Sequence, residues 1–235
     1  MAAVPLAATR PPRRRSRALA APETPARRWL LAAGSIGGTI FTATYLIEGA
    51  TRPGYDAWRQ AISALSLGPG GWVQQCSFIV LGVLVACSAI GYRAALRGGW
   101  GERLVPAFRL AVAAGLLTCG FFSQDPGPGY PPRAVLLAIQ SQHAALHGAG
   151  TYLCMFALIG GCLAMAVRFA REPAWRGWSV YSVATALAIM GFMAAFGAAI
   201  AHGGPAGLFE RLAVGSETVW GAIFLVRLLR RGVAV

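Results

Sequence analysis

The sequence has no lysine, and only 12% of its 235 residues are charged, compared with about 25% in soluble domains. It also has only 8 acidic residues and 3 histidines. Hydrophobic residues make up 56% of the chain, and many of them form long runs. This composition argues against a soluble globular domain and predicts that most of the chain lies in a lipid bilayer.

All 21 basic residues are arginines, and the formal net charge is +13. They occur in short clusters between the apolar runs, which argues against a nucleic-acid partner. Residues 1–28 are rich in Ala, Pro and Arg and show no apolar periodicity. We interpret them as a disordered cytoplasmic tail and not as a signal peptide, because the basic stretch is too long and no clear cleavage site follows.

Six apolar segments are about 20 residues long, which is the length that an α-helix needs to cross a bilayer. We therefore predict an all-α integral membrane protein in which residues 29–235 form a bundle of six transmembrane helices. The predicted spans are residues 29–49, 73–92, 105–122, 143–167, 178–201 and 209–228.

The arginines also predict how this bundle is oriented. With a cytoplasmic N-terminus, 17 arginines lie on the cytoplasmic side, including Arg109 near the start of the third span, and only 4 lie outside. Basic loops are retained in the cytoplasm. The sequence therefore predicts a multi-pass protein of the cell (plasma) membrane with both termini in the cytoplasm. The excess of Arg and Ala is typical of a GC-rich bacterial genome.

Two outside segments are more than simple loops. Residues 54–67 place Asp56, Arg59 and Ser63 at helical spacing on one face, with apolar side chains on the other. This pattern predicts a short amphipathic helix in the membrane interface after the first span. The apolar residues 134–140 are interpreted as a second interfacial helix or as an extension of the fourth span.

All three histidines and most of the acidic residues lie at the predicted outer face. His143 and His147 are four residues apart and share one helical face, while Asp125 and His202 end the third and fifth spans. Three imidazoles and one carboxylate are a suitable ligand set for a metal, and zinc is the candidate cofactor. Two alternatives stay open: ordinary polar residues at the level of the lipid headgroups, and acid–base chemistry without a metal.

Four further residues are candidates for catalysis or binding. Glu217 lies two turns deeper in the last span than Glu210, on the same face, and is either a proton carrier or substrate contact or a buried hydrogen-bond anchor. Arg211 is interpreted first as a partner in a structural ion pair and otherwise as a contact for a lipid phosphate. Ser63 is a candidate nucleophile only if a base lies beside it, and a helix-capping role is the alternative.

The order of several short motifs resembles the bacterial membrane family catalogued as domain of unknown function 998. The motifs are RPGYDxxRxxIS from Arg52 to Ser63, GGW at residues 70–72, FF and DP at residues 121–126, HxxxH at residues 143–147, and GLFERL from Gly207 to Leu212. The resemblance implies six spans and no established activity. It marks seven residues as the most important: Asp56, Ser63, Asp125, His143, His147, Glu210 and Arg211.

Three functions remain open from the sequence. The first is a membrane hydrolase that acts on a lipid or isoprenoid-like substrate at the outer leaflet, with a metal activating water. The second is a non-catalytic protein that binds lipid or assembles with other proteins. The third is a small transporter, which is disfavoured because the inner halves of the spans offer few polar side chains for a pathway.

Overall fold

The computed structural model describes residue 19 and residues 24–231, and in this part of the chain the regular structure is helical. Six long helices follow one another, with connections of 19 residues (52–70) and 20 residues (122–141) after the first and third helices and shorter connections elsewhere. They are α1 (Pro25–Thr51), α2 (Gly71–Ala95), α3 (Leu104–Phe121), α4 (Gln142–Ala170), α5 (Arg176–His202) and α6 (Ala206–Arg231).

All six helices are long and apolar enough to cross a membrane, which confirms the predicted spans to within a few residues. Local chemistry sets several of the helix ends. Ser141 caps α4 by accepting a hydrogen bond from the N–H of Ala144 at 3.1 Å. Gly203 ends α5 in the left-handed conformation, with φ of +74°. Most of the predicted tail, residues 1–28, lies outside the described residues, although α1 already begins at Pro25.

The helices form a ring in which each helix packs against the next along the chain and α6 contacts α1. We call the end of the ring with residues 52–70, 122–141 and 203–205 the site end. The opposite end, with residues 96–103 and 171–175, is the arginine end. Close packing is visible between α3 and α4, where a Cβ on Gly115 would lie 2.5 Å from the carbonyl oxygen of Gly150.

The segment after α1 is not the amphipathic helix that the sequence predicts over residues 54–67. Turns occupy residues 52–60, and a five-residue 3₁₀ helix, Ile62–Ser66, follows. The carboxylate of Asp56 accepts a hydrogen bond from the N–H of Trp58, a local turn that competes with helix formation. The 3₁₀ helix is buried against α1, α2 and α6 and so closes the ring from the site end.

Residues 134–140 are neither an interfacial helix nor an extension of α4, since no helix is present there. The preceding Arg133 adopts a positive φ of 65°, and α4 begins only after its cap at Ser141. Four apolar side chains of this loop are more than half exposed: Val135, Leu136, Leu137 and Ile139.

Candidate functional site

An internal cavity of about 80 Å³ lies inside the ring, near the site end. We call it the chamber. Its walls are mostly apolar, and it has room for several water molecules. Its polar or charged lining residues, with its two cysteines, are Ser63, Arg109, Cys119, His147, Thr151, Cys154, Glu210, Glu217 and Thr218.

Glu210 lies in the second turn of α6 and is only 8% exposed. Its Oε2 accepts a hydrogen bond of 2.5 Å from the backbone N–H of Ile62. Because Ile62 opens the 3₁₀ helix, this bond fixes the segment that closes the ring. Glu210 therefore both lines the chamber and holds its cover in place.

His147 is 5% exposed and lines the chamber from α4. Its Nδ1 lies 2.7 Å from the carbonyl oxygen of Phe122, which only accepts hydrogen bonds, so Nδ1 carries the proton. In the neutral ring Nε2 is then the acceptor nitrogen. Its position in the helix, one turn after His143, brings it inside the ring while His143 stays exposed.

Ser63 contributes the third polar group at this level. Its hydroxyl donates a 2.5 Å hydrogen bond to Oε1 of Gln124, which lies in the loop after α3. Thr151, one turn after His147, donates to the carbonyl oxygen of His147 at 3.0 Å. The structure thus brings together Ser63, His147 and Glu210, three of the residues that the sequence marks.

An ion pair forms the deep end of the chamber. Nη1 of Arg109 donates to Oε1 of Glu217 at 3.1 Å, which joins α3 to α6 across the ring. Nε of Arg109 donates to the hydroxyl of Ser88 at 3.2 Å, and the guanidinium lies 5.1 Å from the centre of the Tyr92 ring. Arg109, which the sequence analysis counts among the arginines that set topology, is therefore part of the interior.

A second cavity, of about 690 Å³, opens between α4 and α5. We call it the groove. It adjoins the chamber, because five residues line both: Ser63, His147, Thr151, Met155 and Glu210. Away from the chamber its walls are largely apolar, and they include Tyr152, Phe156, Met190, Met193, Phe196 and Ile200. Since α4 and α5 are candidate membrane spans, the groove faces the lipid laterally.

Arg211 and Asp56 stabilise the loop over the site end. The guanidinium of Arg211 donates to the carbonyl oxygens of Ala57 at 2.7 Å and Gln60 at 3.2 Å, and to the hydroxyl of Tyr55 at 2.7 Å. The ion pair that the sequence predicts for Arg211 is absent among the described residues, because its hydrogen-bond partners are carbonyl and hydroxyl oxygens. The Asp56 carboxylate bonds within its own turn. Neither residue lines the chamber or the groove.

The four predicted metal ligands do not come together. Asp125 accepts hydrogen bonds from the N–H and hydroxyl of Ser141, at 2.8 and 2.6 Å, and these bonds lower the pKa of its carboxyl. His143 packs edge-on against Phe122, and His202 is exposed at the end of α5. Within residues 24–231 no group of three or more His, Cys, Asp or Glu side chains is arranged to hold a metal ion. The expected convergence of Asp125, His143, His147 and His202 on zinc is therefore corrected.

Sequence reasoning missed three residues of this site. Gln124 and Thr151 have ordinary side chains for a loop and a span, and nothing in the sequence singles them out. Arg109 did carry a signal, because a charged side chain inside an apolar span is costly and requires a partner. The partner, Glu217, had been identified, but the contact between α3 and α6 depends on the order of the helices around the ring.

Six apolar helices around an internal chamber, with mostly apolar walls and a few polar side chains, define a multi-pass membrane protein with a candidate site near one end of the bundle. A family model described as "Protein of unknown function (DUF998)" matches residues 35–227. The chain belongs to this family, which confirms the resemblance seen in its motifs. No curated protein and no solved structure matches the chain.

Proposed function

We propose that this protein binds a lipid from within the bilayer, with the tail in the groove and the polar end in the chamber. The observation that supports it is that the two cavities adjoin and share five lining residues. An apolar opening between two spans leads to a small, buried group of polar side chains, Ser63, His147 and Glu210. Concave, mostly apolar sites with a few placed polar groups are typical ligand sites.

The arginine end supports a site that opens on one side only. Below the Arg109–Glu217 pair, stacked aromatic rings fill the ring of helices. Tyr92 stacks on Phe224 with ring centroids 5.8 Å apart, and Phe224 stacks on Trp220 at 5.4 Å. A transporter needs a polar route through both halves of the bilayer, and this packing disfavours one. We propose the plasma membrane as location, with the arginine end and both termini in the cytoplasm.

Two glycines of α5 allow a matched test. A Cβ on Gly197 or on Gly191 would meet no atom within 4 Å, so neither position resists a larger side chain. Gly197 lines the groove and Gly191 does not. The variant Gly197→Phe fills the groove, and Gly191→Phe is the control on the same helix.

Native mass spectrometry of the detergent-purified protein measures the lipid that each variant retains from the membrane. We expect the wild type and Gly191→Phe to retain the same amount, and Gly197→Phe to retain about one tenth as much. Equal retention by all three proteins, or no retained lipid in the wild type, would overturn lipid binding in the groove.

His147 favours hydrolysis as a second candidate function. Its fixed tautomer leaves Nε2 as a base in the neutral ring, within a chamber that has room for water. In such a step water adds to a lipid ester carbonyl, His147 accepts the proton of the water, and the proton passes to the departing alcohol as the C–O bond breaks. Release of fatty acid from ester lipids in nanodiscs tests this. His147→Gln should abolish the release, and wild-type protein without any release would exclude the reaction.

A further inference from the structure

Four polar residues line both the chamber and the groove, and we call them the mouth of the chamber: Ser63, His147, Thr151 and Glu210. The atoms that they offer to a ligand are mainly hydrogen-bond acceptors. The single hydroxyl hydrogen of Ser63 is donated to Gln124, and that of Thr151 is donated to the carbonyl oxygen of His147. Each hydroxyl therefore offers a ligand only its oxygen lone pairs. A ligand that contacts these two residues has to supply the hydrogen itself.

The two titratable side chains at the mouth, His147 and Glu210, also present hydrogen-bond acceptors to the chamber. His147 uses its Nδ1 proton on Phe122 and presents Nε2 as an acceptor in its neutral form. Glu210 accepts from Ile62 through Oε2, while Oε1 makes no hydrogen bond within residues 24–231. An ionised carboxylate is an acceptor only, and it favours hydroxyl or amine donors over anionic groups.

The charges around the two cavities also favour an uncharged ligand. Arg109 is the one arginine that lines the chamber or the groove among the described residues, and its charge is balanced by Glu217. A phosphate group in the chamber would bring further negative charge next to Glu210 without an unpaired cation to meet it.

We propose that the chamber recognises the hydroxyl-bearing end of an uncharged lipid, such as a glycerol with one alkyl chain, and discriminates against the phosphorylated form. The inference rests on the proposed function and adds the chemical class of the ligand. Ser63, His147 and Glu210 accept hydrogen bonds from the ligand hydroxyls. The alkyl chain leaves through the groove between α4 and α5.

Three probes with the same alkyl tail test whether the ligand has to donate hydrogen bonds and has to be uncharged. They are 1-O-oleylglycerol, its 2,3-di-O-methyl ether, and its 3-phosphate. The ether linkage prevents hydrolysis, so that binding is measured whether or not the protein is an enzyme. Affinity is measured for the whole protein in detergent by native mass spectrometry or thermophoresis.

We expect 1-O-oleylglycerol to bind at least tenfold more tightly than either of the other two probes. Equal or tighter binding of the dimethyl ether overturns the donor requirement, because the mouth would then supply a donor, for example a protonated Glu210. Equal or tighter binding of the phosphate overturns the discrimination against anions. If none of the three binds, the proposed lipid-binding function fails, and this inference fails with it.

A variant of Glu210 tests whether this side chain accepts a hydrogen bond from the ligand. In Glu210→Gln the side-chain oxygen can still accept from Ile62, while the amide presents a donor to the chamber. We expect the preference for 1-O-oleylglycerol over its dimethyl ether to fall below about twofold. Glu102→Gln is the control, since Glu102 accepts a backbone N–H from Gly98 at the arginine end. An unchanged preference in Glu210→Gln overturns the role of this carboxylate, and the wild-type comparison remains decisive if the variant does not fold.

Discussion

The two ends of the bundle are held together by different interactions. At the site end, irregular backbone is fixed by charged side chains: Glu210 holds the N–H of Ile62, and Arg211 holds the carbonyl oxygens of Ala57 and Gln60. At the arginine end, an aromatic cluster fills the interior. Its members are Tyr92, Phe169, Trp175, Trp178, Trp220 and Phe224.

This difference has a physical origin. Backbone that is not helical leaves its N–H and C=O groups without internal partners, and inside a membrane protein such groups need side chains or water. The site end therefore needs buried polar residues simply to close the ring, and one of them, Glu210, also lines the chamber. The loops of the arginine end also use side-chain partners, such as Glu102 for the N–H of Gly98 and Arg227 for the carbonyl oxygen of Ala174. Aromatic rings fill the interior at that end, so the capacity for binding is concentrated at the site end.

The largest loss of stability is expected from a change in the Arg109–Glu217 pair, which lies between the site end and the aromatic cluster. Arg109→Met leaves the partly buried Glu217 carboxylate without its partner, and we expect a cost of about 3 kcal/mol, at the lower end of the range for buried pairs. We expect a correspondingly lower unfolding midpoint in detergent. The measurement is thermal or denaturant unfolding followed by circular dichroism.

A second variant separates charge from packing. The double variant Arg109→Met/Glu217→Gln removes both charges and should recover most of the lost stability. Arg97→Met, an exposed position at the arginine end, is the control and should change the unfolding free energy by less than about 0.5 kcal/mol. A single variant as stable as the wild type would show that the pair does not hold the two regions together.

The next largest loss of stability is expected at the arginine end, in its aromatic cluster. Phe224 is 1% exposed and contacts five other rings of the cluster, so Phe224→Ala should lower the unfolding free energy by about 3 kcal/mol through the cavity that it leaves. Because the cluster lies away from the groove, lipid affinity per folded molecule should stay within about twofold of the wild type. Unfolding curves and lipid binding, measured on the same preparation, check both parts. A large loss of affinity with intact fold would contradict the separation of the two ends.

The spans were predictable because apolar runs of about 20 residues have few alternatives to a transmembrane helix. The shared face of Glu210 and Glu217 was predictable as well, since seven residues make two helical turns, and both residues line the chamber. These are local properties of one helix. They need no knowledge of its neighbours.

The rest of the site depends on contacts between distant segments. The sequence predicts Asp125 as a metal ligand, but its carboxylate accepts hydrogen bonds from the N–H and the hydroxyl of Ser141, the residue that caps α4. His143 and His147 share a helical spacing, yet only His147 reaches the chamber. The segment 54–67 has a helical pattern, and its turn at Asp56 and its burial under the ring override that pattern. Such competition is decided by tertiary structure.

The smallest effect concerns pH at the loop over the site end. Burial raises the pKa of the Tyr55 hydroxyl to about 12, even though the nearby Arg211 acts in the opposite direction. The unfolded chain titrates near 10, so the folded state binds this proton more tightly between the two values, and stability is lost as the pH rises above 10. We expect a loss on the order of 2 kcal/mol by pH 12 that is specific to this group. Unfolding of the wild type and of Tyr55→Phe across pH 9–12 measures it, since the variant should lose less stability over this range. Parallel curves for the two proteins would assign the alkaline sensitivity to other tyrosines. They would show that Tyr55 does not make the loop over the site end sensitive to pH.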